Sequence, residues 1–188
     1  MMQSWIPREG TKDTMLAEEI VDRLSLEEKV GQILLLAFAG PPDAGPQRLI
    51  ERYGLGGVYM SQDNAATPEH AARLSALLQG HARRARSGLP LFVAADHEGA
   101  WSVVSPYATT GPGNLGLGAA QDARWTEGMY AVLATELRAV GYNVLLAPCV
   151  DVNSNPRNAI IGMRSFGDDA QLVATLAAAA VRGVQTHG

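Results

Sequence analysis

The sequence predicts an α/β fold of four strands, each followed by a helix, in one parallel sheet. Three observations carry that expectation. Short apolar runs alternate with segments of helical period. The third run, LPLFVAADHE, shows no polar alternation, as in a strand buried on both faces. No tight-hairpin signal separates any two of the runs. With 188 residues, 47% of them hydrophobic, and 20 glycines, the chain fits one domain with tight turns and closely packed helices. Four such units make either a small open doubly wound sheet or the first half of an eightfold barrel. Both place ligands beyond the C-terminal ends of the strands.

Taken in order, Ser25 and Glu28 in SLEEKVGQ have the spacing of a capping box, so a short helical turn leads into strand one, QILLLAF. The loop AGPPDAGPQ and a short helix near RLIERYG precede strand two, Gly54 to Ser61. The glycines there come before the apolar part, which is the wrong side for a phosphate loop. Thr67 and Pro68 make an N-cap and first-turn pair. The helix they start carries Ala71, Leu74, Leu77, Leu78 and Ala82 on one face and runs to Arg86. Strand three ends in Asp96 and Glu98, and Gly99 to Ala120 reads as a long loop without a clear period. Its GPGNLG, with Glu136 twenty residues on, matches a dinucleotide fingerprint in letters but follows no strand, so no nucleotide cofactor is expected. Asp122 caps a helix with Trp125, Met129, Val132, Leu133 and Leu137 inward, stopped by Gly141. Strand four is YNVLLAPCVDV, and Asp168 or Asp169 caps a last helix with Leu172, Leu176, Ala179 or Ala180, and Val184 inward.

A net charge of -4 argues against nucleic acid as a partner, because phosphate neutralisation needs a basic face. The local exception, HARRAR from His81 to Arg86, falls at a helix end, where cations complement the macrodipole. Cys149 is the sole cysteine, so no intrachain disulfide forms, and it reads as a small core residue. The longest apolar run, ILLLAFAG, is far short of the roughly 20 residues that span a bilayer, and the first thirteen residues lack a leader-like apolar segment. The expectation is a soluble cytoplasmic chain with no membrane partner.

The chemistry gathers where strands three and four end. A carboxylate leaving a buried strand needs a hydrogen-bonding partner or a ligand, which singles out Asp96 and Glu98. The loop DVNSNPRNAIIGMRSFGDD follows strand four and holds eight charged or amide side chains, among them Arg164, whose planar fork suits a carboxylate or vicinal hydroxyls. Asn155, Arg157 and Asn158 are suited to closing that loop through side-chain to backbone bonds.

The stretches SLEEKVGQ, GLGGVYM, DHEG, LGLGAA, ELRAVGYNVLLAPCVDVNSNPRNAIIGMRSFGDD and VRGVQTHG together resemble the N-terminal barrel of glycoside hydrolase family 3, in its β-N-acetylglucosaminidase branch. The resemblance spans nearly the whole chain. It implies the first half of a TIM-type (β/α)8 barrel over residues 25–188, preceded by an extension over 1–24. It implies removal of terminal non-reducing β-linked N-acetylhexosamine without metal or cofactor. It also implies that Asp96 and Arg164 bind sugar hydroxyls, with Glu98, Asp151 and Asn155 supporting the site loop.

Two departures from the family pattern bear on function. After Asp-x-Glu-Gly the family continues Gly-Arg-Val-x-Arg, whereas this chain has Ala100, Trp101, Ser102, Val103 and Val104. Either the loop is displaced or the ligand differs, and Trp101 could offer an apolar face to a sugar ring. The family's Lys-His and Phe-Pro-Gly-His motifs and its nucleophilic Asp are also not reached by Gly188. The expectation is therefore a sugar-binding half without catalytic residues, inactive alone, with open barrel edges able to self-associate. The alternative is a half-barrel that binds sugar or associates with itself and does not hydrolyse.

Overall fold

The computed structural model describes residues 17–40, 44–101 and 104–187. Most of the expected N-terminal extension, the centre of the first loop, and Ser102 and Val103 lie outside these. Two short helices, α1 (Ala17–Arg23) and α2 (Leu26–Gln32), precede β1 (Leu35–Ala37). There follow α3 (Ala44–Tyr53), β2 (Gly57–Tyr59), α4 (Pro68–Arg84), β3 (Phe92–Ala95), α5 (Gly113–Ala120), α6 (Ala123–Ala139), β4 (Val144–Leu145) and α7 (Ala170–His187). The four strands pair in parallel in the order β1-β2-β3-β4. That order has no switch point, which is the feature an open doubly wound sheet requires. The winding is that of one side of a (β/α)8 barrel.

The helix starts follow from local chemistry. The Ser25 side chain accepts from the Glu28 amide at 3.3 Å while Glu28 accepts from the Ser25 amide at 2.8 Å, closing the capping box. Thr67 accepts from the His70 amide ahead of Pro68, and Asp122 from the Arg124 amide. Of the two candidates for α7, Asp169 is the cap, accepting from the Leu172 amide at 2.7 Å. The HARRAR run closes α4, where His81 and Arg84 both reach Glu51 of α3.

Several expectations need correcting. The segment from Gly99 to Ala120 is not loop throughout, because its last eight residues form α5. Glycine-rich and weakly periodic, α5 is held by packing: a Cβ at Gly118 would overlap the Phe166 carbonyl, so only glycine lets the two backbones meet. On α6 the inward positions are Thr126, Tyr130, Leu133, Ala134 and Leu137, while Trp125 is 69% exposed and Val132 also faces outward. On α4, Leu77 is likewise exposed. Cys149 is half-buried on the rim rather than in the core, and its thiol donates to Asp151 Oδ2 at 3.1 Å. The last helix packs as expected, with Leu176, Ala179 and Ala180 buried. A Cβ at Gly183 would run into the Glu127 carbonyl of α6, so the two long helices approach through that glycine.

The sheet has one covered and one open face. Val58, Val93 and Ala95 join Leu74 and Leu78 of α4 in the main core, where each fully enclosed leucine contributes about 2 kcal/mol. A second cluster joins Leu117, Tyr130, Leu133, Phe166, Val173 and Leu176 between α5, α6 and α7. On the other face the register sets Leu35, Gly57 and Phe92 side by side, and Phe92 is 57% exposed. One layer nearer the rim come Ala37, Tyr59 and Ala94. By alternation, Asp96 is the next position of that face.

Candidate functional site

Asp96 and Glu98 follow the end of β3 and meet different partners. Tyr59, on the adjacent strand, donates its hydroxyl to Asp96 Oδ2 at 3.0 Å. Burial raises the Tyr59 pKa first, and the neighbouring carboxylate raises it further, so the phenol stays a donor. Asp96 lines a cavity of about 240 Å³ with Tyr59, Met60, Ser61, Gln62, Asp63 and Val104. Glu98 is buried and accepts from Arg164 through both oxygens: Nε at 3.2 and 3.0 Å, and Nη2 at 2.8 Å. Hydrogen bonding to Glu98 is the first cause raising the Arg164 pKa, so the guanidinium carries its charge throughout. Trp101 stands over that guanidinium, with Cζ 6.0 Å from the ring centre.

The structure therefore brings Glu98 and Arg164 together, while Asp96 faces its own cavity, which Arg164 does not line. Asp151 is exposed, and its carbonyl accepts from the Ser165 hydroxyl. Asn155 turns its side chain to the Arg157 amide at 3.1 Å, and Asn158 does the same for Ile160 and Ile161, so both close the loop locally. A 3-10 turn, Gly162–Arg164, delivers the arginine. Among the described residues no group of three His, Cys, Asp or Glu side chains is placed to hold a metal ion.

Three further residues build the rim. Asn114 sends its amide to the Arg164 carbonyl at 2.7 Å and the Cys149 carbonyl at 3.3 Å, and accepts from the Tyr130 hydroxyl at 2.8 Å. It is the N of GPGNLG, so that segment pins the loop of Arg164 to α5 and α6. His97 is 0% exposed, with Nε2 3.1 Å from the Thr109 carbonyl and Nδ1 accepting from the Val104 amide at 3.4 Å. Burial is the main cause that lowers its pKa. Tyr59 could have been found from its place at the end of strand two, whereas nothing local marks Asn114 or His97.

Acidic groups at the C-terminal rim of parallel βα units, one presented and one paired with arginine, stand at the end of the strands where α/β barrels carry their ligand sites. The family follows from the sequence match: the chain belongs to glycosyl hydrolase family 3, whose N-terminal domain matches residues 25–188. It is 35% identical over 153 residues to beta-hexosaminidase A of Pseudoalteromonas piscicida, covering 79% of this chain and 25% of that protein. A family 3 beta-N-acetylglucosaminidase structure from a Paenibacillus species superposes with a TM-score of 0.82 at 40% identity, over 87% of this chain and 31% of that one. The beta-N-acetylhexosaminidase of Beutenbergia cavernae gives 0.78 at 31%, over 88% and 52%. The chain thus spans between a quarter and about half of these relatives. Among the described residues no helix is long and apolar enough to cross a membrane.

Proposed function

We propose that this chain is the sugar-binding part of a glycoside hydrolase that removes terminal non-reducing β-linked N-acetylhexosamine, and that it does not hydrolyse the bond by itself. The observation that carries the reading is Asp96, a carboxylate at the mouth of β3 with one oxygen oriented by Tyr59 and a cavity in front of it. Such a group accepts from sugar hydroxyls. Arg164 spends Nε and Nη2 on Glu98, and its Nη1, without a partner among the described residues, is the donor for a second hydroxyl. Asp151 and Asn155 shape the lip. The relatives named for N-acetylhexosamine support the sugar class.

Catalytic silence rests on the fate of Glu98. Retaining hydrolysis needs two groups flanking the bond, about 5 to 5.5 Å apart when both are carboxyls. A carboxylate held through both oxygens by a guanidinium is a poor nucleophile and a poor proton donor. A cytoplasmic setting and the absence of a nucleic-acid partner belong to the same proposal, supported by the lone Cys149 and the net charge of -4.

The test is titration with N-acetylglucosamine and glucose beside an assay on an aryl β-N-acetylglucosaminide. N-acetylglucosamine should bind, Asp96→Asn should weaken it about tenfold or more, and Arg164→Lys should do likewise by losing the fork. Turnover that Glu98→Gln abolishes would move the chemistry to the β3 carboxylates. A second reading, a self-associating half-barrel, has its own support in the open face: Ile33 is 81% exposed, and Leu34, Leu35 and Leu36 beside it are also exposed on edge strand β1 and the turn before it. Sedimentation at rising concentration separates the two, because a monodisperse monomer removes the second.

A further inference from the structure

His97 lies two residues beyond the end of β3, and its side chain is fully enclosed, so the partners of the imidazole are fixed by the fold. Nε2 stands 3.1 Å from the Thr109 carbonyl and Nδ1 3.4 Å from the Val104 amide nitrogen. A carbonyl only accepts and an amide N–H only donates. One protonation state therefore satisfies both contacts, the neutral ring with its proton on Nε2. In that state the ring ties together the two ends of the segment 104–109. Thr109 is anchored a second time, because its amide and its hydroxyl both donate to Glu136 of α6. The other end is held more weakly. Val104 has an aliphatic side chain, so only its backbone can be anchored by hydrogen bonds, and its neighbour adds a single Ser105 hydroxyl 3.5 Å from the Ala66 carbonyl.

Val104 is where this clamp meets the site. It is buried and stands in the wall of the Asp96 cavity with Tyr59, Met60 and Ser61. A second proton on the His97 ring goes to Nδ1, where it faces the Val104 N–H, donor against donor. With the ring enclosed and held at Nε2, the partner that yields is the backbone at Val104. Burial opposes that proton, while the Thr109 carbonyl and the charge of Glu136 favour it. The other ionisable groups around the ring are engaged or distant. Asp96 and Glu98, beside it in the chain, are bonded to Tyr59 and Arg164. Tyr107, in the segment 104–109, and Glu69, His70 and Arg73, at the start of α4, are exposed.

We propose that His97 is a positioning residue for the Asp96 pocket: unprotonated at Nδ1 it holds the Val104 wall in place, and protonated there it releases the wall and weakens the bound ligand. The ligand is the sugar of the proposed function, on which only the affinity measurement rests. The test follows the imidazole nitrogens of His97, the amides of Val104, Met60 and Ser61, and N-acetylglucosamine affinity in the full chain, as pH is lowered from about 7.5. At the start Nδ1 should show the chemical shift of an unprotonated acceptor. As it takes its proton, at a midpoint below 6.5, the Val104, Met60 and Ser61 amides should move with the same midpoint and affinity should fall roughly fivefold or more. His97→Gln should remove that step and leave only the response of the carboxylates at lower pH. A ring that stays neutral until acid unfolding, or pocket amides that do not follow it, overturns the proposal. So does sugar affinity that ignores the step, or a step that persists in His97→Gln. If N-acetylglucosamine binds at no pH, the sugar reading falls, and the Met60 and Ser61 midpoints decide this proposal. If His97→Gln does not fold, the coincidence of midpoints in the unaltered chain decides alone.

Discussion

The loop after β3 is held by buried side chains that reach far along the sequence: His97 to Thr109, which is tied in turn to Glu136, and Glu98 to Arg164. The loop after β4 is mostly held by itself, through Asn155 to Arg157, Asn158 to Ile160, and Ser165 to Asp151 and Gly167. The two have similar polar, glycine- and proline-containing sequences. The difference teaches where positional accuracy comes from. Side chains buried against other elements fix the carboxylates, whereas local turns only give the outer loop its shape.

The largest expected effect comes from cutting the ion pair that joins the two loops. Glu98→Ala leaves the Arg164 guanidinium part-buried and uncompensated, and should cost about 3 kcal/mol in denaturant unfolding. A loss under about 1 kcal/mol would mean that the loops are joined elsewhere. Next comes Asn114→Ala, which strips two carbonyls and the Tyr130 hydroxyl of their partner at once. It should cost about 2 kcal/mol and broaden the amide signals of residues 162–164 selectively.

Only the first loop should respond to acid. Burial holds the folded His97 pKa below its ordinary 6.5, with the Thr109 carbonyl and the Glu136 charge opposing in part. Below that ordinary value the unfolded chain takes a proton that the folded chain resists. Stability should therefore fall as pH drops through 6.5, by up to about 1.4 kcal/mol per pH unit, until the folded imidazole titrates too. His97→Gln should flatten that part of the profile, and unfolding curves at several pH values measure it. The smallest effect belongs to Asn155→Ala, which opens one exposed turn and should change stability by about 0.5 kcal/mol or less.

The same division governs what could be read from the sequence. Helix starts at Ser25, Thr67 and Asp122 were legible because a cap and its amide lie within three residues. The helix α5 was not, since Gly113, Gly116 and Gly118 have poor helix propensity and the close approach that calls for glycine at position 118 is to the distant Phe166 backbone. Hydrophobicity alone points Trp125 and Val132 inward, while the inward face of α6 includes Thr126, whose hydroxyl bonds back to the Asp122 carbonyl. At the rim, Asp96, Glu98 and Arg164 could be named as a group from strand ends and loop chemistry. Their division into a presented carboxylate and a neutralised one depends on side-chain direction across 66 positions of chain, which no local pattern encodes.

The strand order β1-β2-β3-β4 also bears on how the chain can be made. Each strand pairs with the one that left the ribosome immediately before it, from Leu35 with Gly57 to Ala94 with Val144. No strand must wait for a later one to be inserted between itself and its neighbour. Synthesis from the N-terminus can therefore lay the sheet down one unit at a time, and the cost of closing each connection is met while the growing edge is still short. The same vectorial order leaves the most recent strand as the sole sticky edge on the advancing side.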